Sequence, residues 1–203
     1  MISAASTGFF TGLSLILAIG AQNTFVLRQG LMRQHVFALC LLCAVSDAIL
    51  IFAGVAGFGW LVTFSPQFPV IMALAGALFL LIYGAMRFFA AWRGQYLVID
   101  MGGQVRLWPV LLTGSALTWL NPHVYLDTLG LIGAVSTQYP EINQKTAFGL
   151  AAMTSSFVFF FSLGYGARLL SPIMQTARAW RVLEVLIGVV MWLISAGLVM
   201  SVV

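Results

Sequence analysis

The chain has 203 residues, 62% of them hydrophobic and only 7% charged, with a formal net charge of +4. Soluble domains carry about 25% charged residues, so a water-soluble globular domain is excluded and no length is left for a separate nucleotide-binding domain. No Gly-x4-Gly-Lys-Ser/Thr phosphate loop occurs, which argues against ATP-driven chemistry, and cations spread between apolar stretches serve membrane orientation rather than nucleic-acid binding.

The first cation is Arg28, so the N-terminus lacks the basic region of a cleaved signal peptide. A helical crossing needs about 20 apolar residues, and six stretches qualify. The first, 4–27, is expected to be a retained span. It holds Gly8-x3-Gly12, a spacing for close helix packing, and Gly20-Ala-Gln-Asn23, where Gly20, Gln22 and Asn23 interrupt the apolar run. After Arg28 and Arg33 comes 36–62, with Cys40, Cys43 and, deep in the run, Asp47. The cysteines would be helical neighbours in apolar surroundings. No cation or helix N-terminus favours a thiolate there, so they read as packing residues.

Ser65-Pro66 precedes the third stretch, 68–91, and a connection with Arg93 and Arg106 follows it. The fourth stretch, 108–134, contains Trp119-Leu-Asn-Pro-His-Val-Tyr125 and then Asp127. Pro122 removes a backbone donor and clashes with the preceding turn, so a helix break is expected. The stretch is also longer than one crossing needs. Backbone freed at membrane depth must be satisfied by protein or water, and a half-helix N-terminus can hold a carboxylate. His123 precedes Asp127 by four residues, a spacing that lets side chains touch, which leaves a proton relay or simple backbone satisfaction open. Tyr125 is suited either to stacking on a cation or to hydrogen bonding. The fifth and sixth stretches are 147–170 and 182–203. Phe157 to Phe161 and Trp192 read as lipid-facing bulk. Trp60, Trp92, Trp108 and Trp180 fall near span ends, as an interfacial belt would.

Eight of the nine Lys and Arg residues fall on one side of a six-span chain: Arg28 and Arg33; Arg87, Arg93 and Arg106; Arg168, Arg178 and Arg181. Lys145 alone is opposite. The positive-inside rule puts the eight in the cytoplasm and both termini outside; a five-span chain, the fallback, would reverse one terminus. The expected fold is therefore an all-α integral membrane protein forming one transmembrane domain over 1–203. Two inverted three-helix repeats, about 1–92 and 107–203, compose it. Thr11-Gly12 recurs as Thr113-Gly114, and Gly76 to Gly84 resembles Gly188 to Gly197. That is the plan of many secondary transporters. The small-residue spacings suit packing within the protomer, with a homo-oligomer contact as the alternative.

An intramembrane carboxylate costs several kcal/mol unless it meets a partner or a wet cavity. No Lys or Arg falls in the middle of a span, so Asp47 and Asp127 suggest a cationic ligand. Two compatible roles follow: an ionised pair binding a cationic head, or a desolvated carboxyl that takes up a proton in one state and releases it in another. The alternative is a hydrogen-bonded structural aspartate, with Ser46 and Thr128 as partners. No cofactor or resident metal is called for.

At Gly20-Ala-Gln-Asn-Thr-Phe-Val-Leu-Arg-Gln-Gly30, at Ser46-Asp47 and at Thr118-Trp-Leu-Asn-Pro-His-Val-Tyr-Leu-Asp-Thr128, the chain resembles the LysE/ArgO family of lysine and arginine exporters. The resemblance implies export of L-arginine or L-lysine across the bacterial inner membrane, driven by the proton gradient. It also implies that Gln22, Asn23, Asp47, Asn121, Pro122, His123 and Asp127 are motif positions. Members usually carry Gly-Pro-Gln-Asn in the first span; here Ala21 replaces the proline, which leaves Gly20 to permit the break. Exporters of neutral amino acids share the fold but not these motifs. The rival readings are an exporter of metal cations, which would need a denser ligand cluster, and a membrane thiol–disulfide protein using Cys40 and Cys43.

Overall fold

A computed structural model describes residues 1–17, 20–58, 67–93, 106–170, 172 and 176–200. All regular structure among them is helical. The elements are α1 (Ile2–Ile16), α2 (Ala21–Met32), α3 (Val36–Ala53) with a π-turn at Gly54–Phe58, and α4 (Gln67–Arg93). They continue with α5 (Leu107–Trp119), α6 (Pro122–Tyr125), a π-helical segment Leu126–Ile132, α7 (Gly133–Ser136), α8 (Ile142–Gly166) with a 3-10 turn Ala167–Leu170, and α9 (Ala177–Met200). Trp60, Ser65-Pro66 and most of the connection between Arg93 and Arg106 lie outside the described residues.

Among the described residues four stretches are long and apolar enough to cross a membrane: Val36–Gly57, Leu74–Arg93, Ile142–Leu170 and Ala177–Met200. A fifth is added if α1 and α2, bent by 83° from one another, count as one broken span. The expected fourth crossing is divided. α5 ends at Trp119, and helix resumes at Pro122 and runs through a π-helical stretch to Ser136. Proline suits the first position of a helix, where its missing N–H would be unpaired in any case. Leu120 (φ −92°, ψ 5°) leaves helical geometry just before it.

Glycines set the tightest approaches. A Cβ on Gly8 would collide with the Phe148 carbonyl, and one on Gly12 with the Ser155 hydroxyl, so α1 lies directly on α8. Gly30 meets the Gly164 carbonyl in the same way, and Gly54 the Thr128 carbonyl. Large apolar side chains such as Phe10, Phe52, Leu78, Leu112 and Leu193 are exposed on the outside, a surface that lipid tails would cover. Trp92 and Trp108 are exposed at helix ends, whereas Trp180 packs half-buried against the core.

One feature corrects the sequence reading. Arg28 and Arg87, expected in polar connections, sit on α2 and α4, which extend past them to Met32 and Arg93. Glu184 on α9, only 1% exposed, accepts from Arg28 at 2.8 Å and from Arg87 at 3.4 Å. The Arg87 guanidinium also lies 5.0 Å from the centre of the Tyr83 ring. The spans therefore do contain buried cations. They were hidden because apolar run length marks where charges begin, not where a helix stops. One glutamate shared by two arginines ties three helices together.

Removing one partner of a buried ion pair costs about 3–5 kcal/mol, whereas replacing the whole group by apolar residues is often near neutral. Glu184→Gln is therefore expected to lower the apparent melting temperature in detergent clearly, and a combined Arg28→Met, Arg87→Met, Glu184→Met variant much less. Gly8→Leu, which forces a side chain into the Phe148 backbone, is expected to destabilise by about 1–3 kcal/mol, as overpacking does. Thermal melting of purified protein checks both.

Candidate functional site

The two helix breaks and both intramembrane acids converge on a cavity of about 360 Å³. Its walls include Gly20, Gln22 and Asn23 from the first break and Asn121, His123 and Asp127 from the second. Asp47 on α3 and Thr128 complete the polar part. Ile51, Phe160 and Ile194 supply apolar wall. Among the described residues no Lys or Arg lines it.

Each break is held by an asparagine. Gly20 is extended (φ −119°, ψ 173°) and α2 begins directly behind it. Asn23 Nδ2 donates back across the break to the Ile16 carbonyl at 2.7 Å, so a carbonyl at the end of α1 is satisfied as burial requires. Thr24 Oγ1 donates to the Gly20 carbonyl at 2.8 Å. At the second break the polarity is reversed. Asn121 Oδ1 accepts from the His123 backbone N–H at 3.1 Å, as a capping residue does for a helix N-terminus. Tyr125 Oη donates to the Trp119 carbonyl at 2.8 Å, so it ties the two sides of the break together rather than lining the cavity. Pro122 starts α6.

Asp47 is 4% exposed and accepts one hydrogen bond, from Ser156 Oγ on α8 at 3.2 Å. Neither partner expected from the sequence serves an aspartate. Ser46 Oγ accepts from Trp119 Nε1 at 3.2 Å, and Thr128 Oγ1 donates to the Val124 carbonyl at 2.6 Å. Asp127 is half-buried. His123 is exposed and close enough to Asp127 to act on its charge, but no hydrogen bond or ion pair joins them among the described residues. The chain enters the π-helical segment at Leu126. There the i,i+5 hydrogen bonding turns Asp127 out of the register in which residues four apart stack.

Sequence reasoning did not find Ser156 as the partner of Asp47, nor Phe160 as cavity wall. Thr154-Ser155-Ser156 is a run of three adjacent hydroxyls inside the fifth apolar stretch, a signal that could have pointed to it. Phe160 was grouped with lipid-facing aromatics, but it is 1% exposed. Cys40 and Cys43 are free, fully buried thiols, and Cys40 Sγ donates to the Phe160 carbonyl at 3.2 Å. Among the described residues no three His, Cys, Asp or Glu side chains gather as a metal-binding group.

The chain is similar to proteins named arginine exporter protein ArgO. It is 40% identical over 197 residues to those of Salmonella paratyphi A (strain ATCC 9150 / SARB42) and Salmonella typhimurium (strain LT2), covering 96% of this chain and 92% of each relative. The protein of Salmonella enteritidis PT4 matches to the same extent. No solved structure matches the chain. The model of the LysE type translocators matches residues 13–202, nearly the whole chain and both halves of the cavity, so the protein belongs to the LysE family of translocators.

Proposed function

We propose that this protein exports basic amino acids, L-arginine or L-lysine, from the bacterial cytoplasm across the inner membrane in exchange for protons. The observation that carries the reading is the cavity. Two acids, several amide groups and, among the described residues, no Lys or Arg line a space at the low end of the about 300–1,000 Å³ usual for small-molecule pockets. An amino acid with a cationic side chain carries a net charge of +1, so a cavity with two carboxylates and no fixed cation favours it over a neutral one. The relatives' name, arginine exporter, points the same way.

Asp47 and Asp127 are the groups proposed to meet the ammonium or guanidinium. Asp47 keeps one hydrogen bond, from Ser156, too few for a permanently ionised carboxylate in an apolar interior. Binding a proton there and binding a cation are mutually exclusive, and that exclusion is what exchange requires.

The proposed architecture is six spans in two inverted repeats, with the first and fourth spans broken and both termini periplasmic. Contacts support it in pairs that exchange when the halves are swapped. α1 packs on α8 and α5 on α3; α2 reaches α9 and α6 reaches α4; α3 lies against α8 and α4 against α9. Asp47 and Ser156, at corresponding positions of the two halves, bond to each other. The excess of arginine on one side supports the orientation.

Asp47→Asn and Asp127→Asn are each expected to abolish efflux of labelled arginine and lysine from loaded cells with protein amounts unchanged; full efflux by both would remove their role. Wild-type cells are expected to lose arginine or lysine, but not threonine or citrulline, and to stop when the proton gradient is collapsed. Retention of arginine and lysine alike would overturn the function.

A further inference from the structure

The two helix breaks that open on the cavity are not equivalent as anion sites. α6 is a four-residue helix whose available donor, the His123 N–H, is already taken by Asn121 Oδ1 at 3.1 Å. α2 runs for twelve residues, begins behind a glycine that has no side chain to cap with, and has no side-chain cap at all. Its first two residues, Ala21 and Gln22, are buried and line the cavity.

Gln22 supplies the independent observation. Its side chain is 7% exposed, and its Nε2 is buried with no hydrogen-bond partner. The Cys43 thiol beside it is a weak acceptor. A buried donor left unpaired is costly, and here it belongs to a residue that lines the cavity at the start of a helix. Asn23 is not its equal: its Nδ2 is committed to the Ile16 carbonyl at 2.7 Å.

We propose that the start of α2 is the carboxylate subsite of this translocator. The α-carboxylate of the amino acid accepts from Gln22 Nε2 and from the backbone N–H groups of Ala21 and Gln22 at the start of α2, which also present the positive end of the helix dipole. The inference rests on the function proposed above and extends it: the carboxylate end is held by donors on α2, the cationic end by the acids on α3 and on the chain after Pro122. Gln22 is thus a specificity-determining residue that separates amino acids from amines of the same charge.

The test is counterflow of labelled arginine in proteoliposomes, with unlabelled arginine, argininamide and agmatine as competitors. Wild-type protein is expected to prefer arginine to both analogues by about tenfold or more, the worth of one charge-assisted hydrogen bond. Gln22→Leu is expected to erase most of that preference by weakening arginine alone. Gln22→Glu, close in shape but negative, is expected to weaken arginine further while argininamide competes as well as before or better. A protein whose packing merely needed Gln22 would lose all three competitors together. Equal competition by arginine and argininamide in the wild type overturns the subsite, as does an unchanged preference in both variants at a wild-type melting temperature. Absence of counterflow with arginine and lysine alike overturns the function itself and the subsite with it.

Discussion

Every polar group placed inside an apolar medium must find a partner within the protein, and that constraint organises this molecule. A continuous helix meets it for the backbone automatically. A broken helix does not, and this chain has two helix breaks that line one cavity. The freed groups are met one by one. Asn23 covers a carbonyl at the end of α1, Asn121 caps the start of α6, and Tyr125 reaches the Trp119 carbonyl. What is left over after this matching, the Gln22 amide and the two aspartates, is concentrated on a single cavity. Gln29 Oε1 and Arg87 Nε are also buried without a partner, but neither residue lines this cavity.

Charge is handled by the same rule with a different outcome at each end of α2. Arg28, near its C-terminal end, is neutralised by Glu184 and shares it with Arg87. Arg28 and Glu184 are buried, Arg87 is partly so, and none of the three lines the cavity. Gln22, at the N-terminal end, is neutral and faces the cavity. A cation placed there would oppose the proposed substrate; a cation two turns away, locked to glutamate, does not. The three-helix tie also explains how α2, whose own sequence is only weakly apolar, is held in the core: Glu184 on α9 holds its Arg28 while Phe25 and Val26 are buried among apolar neighbours.

Close packing is the counterpart of these polar contacts. Lipid tails are as apolar as leucine, so helices associate through small residues and shape. Gly8 and Gly12 bring α1 onto α8, and Gly30 and Gly164 bring α2 and α8 together. α8 thereby carries Ser156 into reach of Asp47. A methyl group at Gly8 or Gly30 would meet the backbone of α8, the helix that carries Ser156, so the packing of glycines bears on the surroundings of the acid.

Much was determined by the sequence alone. Its long continuous apolar runs pointed to the helical membrane class, because runs of about 20 apolar residues fit a spanning helix and not the alternation of a barrel strand. The motifs Gly20-Ala-Gln-Asn23 and Asn121-Pro-His123 marked both breaks, because glycine and proline act locally, on their own φ and hydrogen bonds. Asp47 and Asp127 stood out because a charge in an apolar run is costly wherever it later points. The tertiary structure decided what no local rule contains: that Asp47 meets Ser156 across two helices, and that Phe160 faces the cavity rather than lipid. It also decided that His123 and Asp127 are not bonded, and that Arg28 and Arg87 are core residues closed on Glu184. Apolar side chains look alike whether lipid or protein covers them, and a buried arginine is tolerable only beside a partner 156 residues away; both facts exist only once the helices have packed.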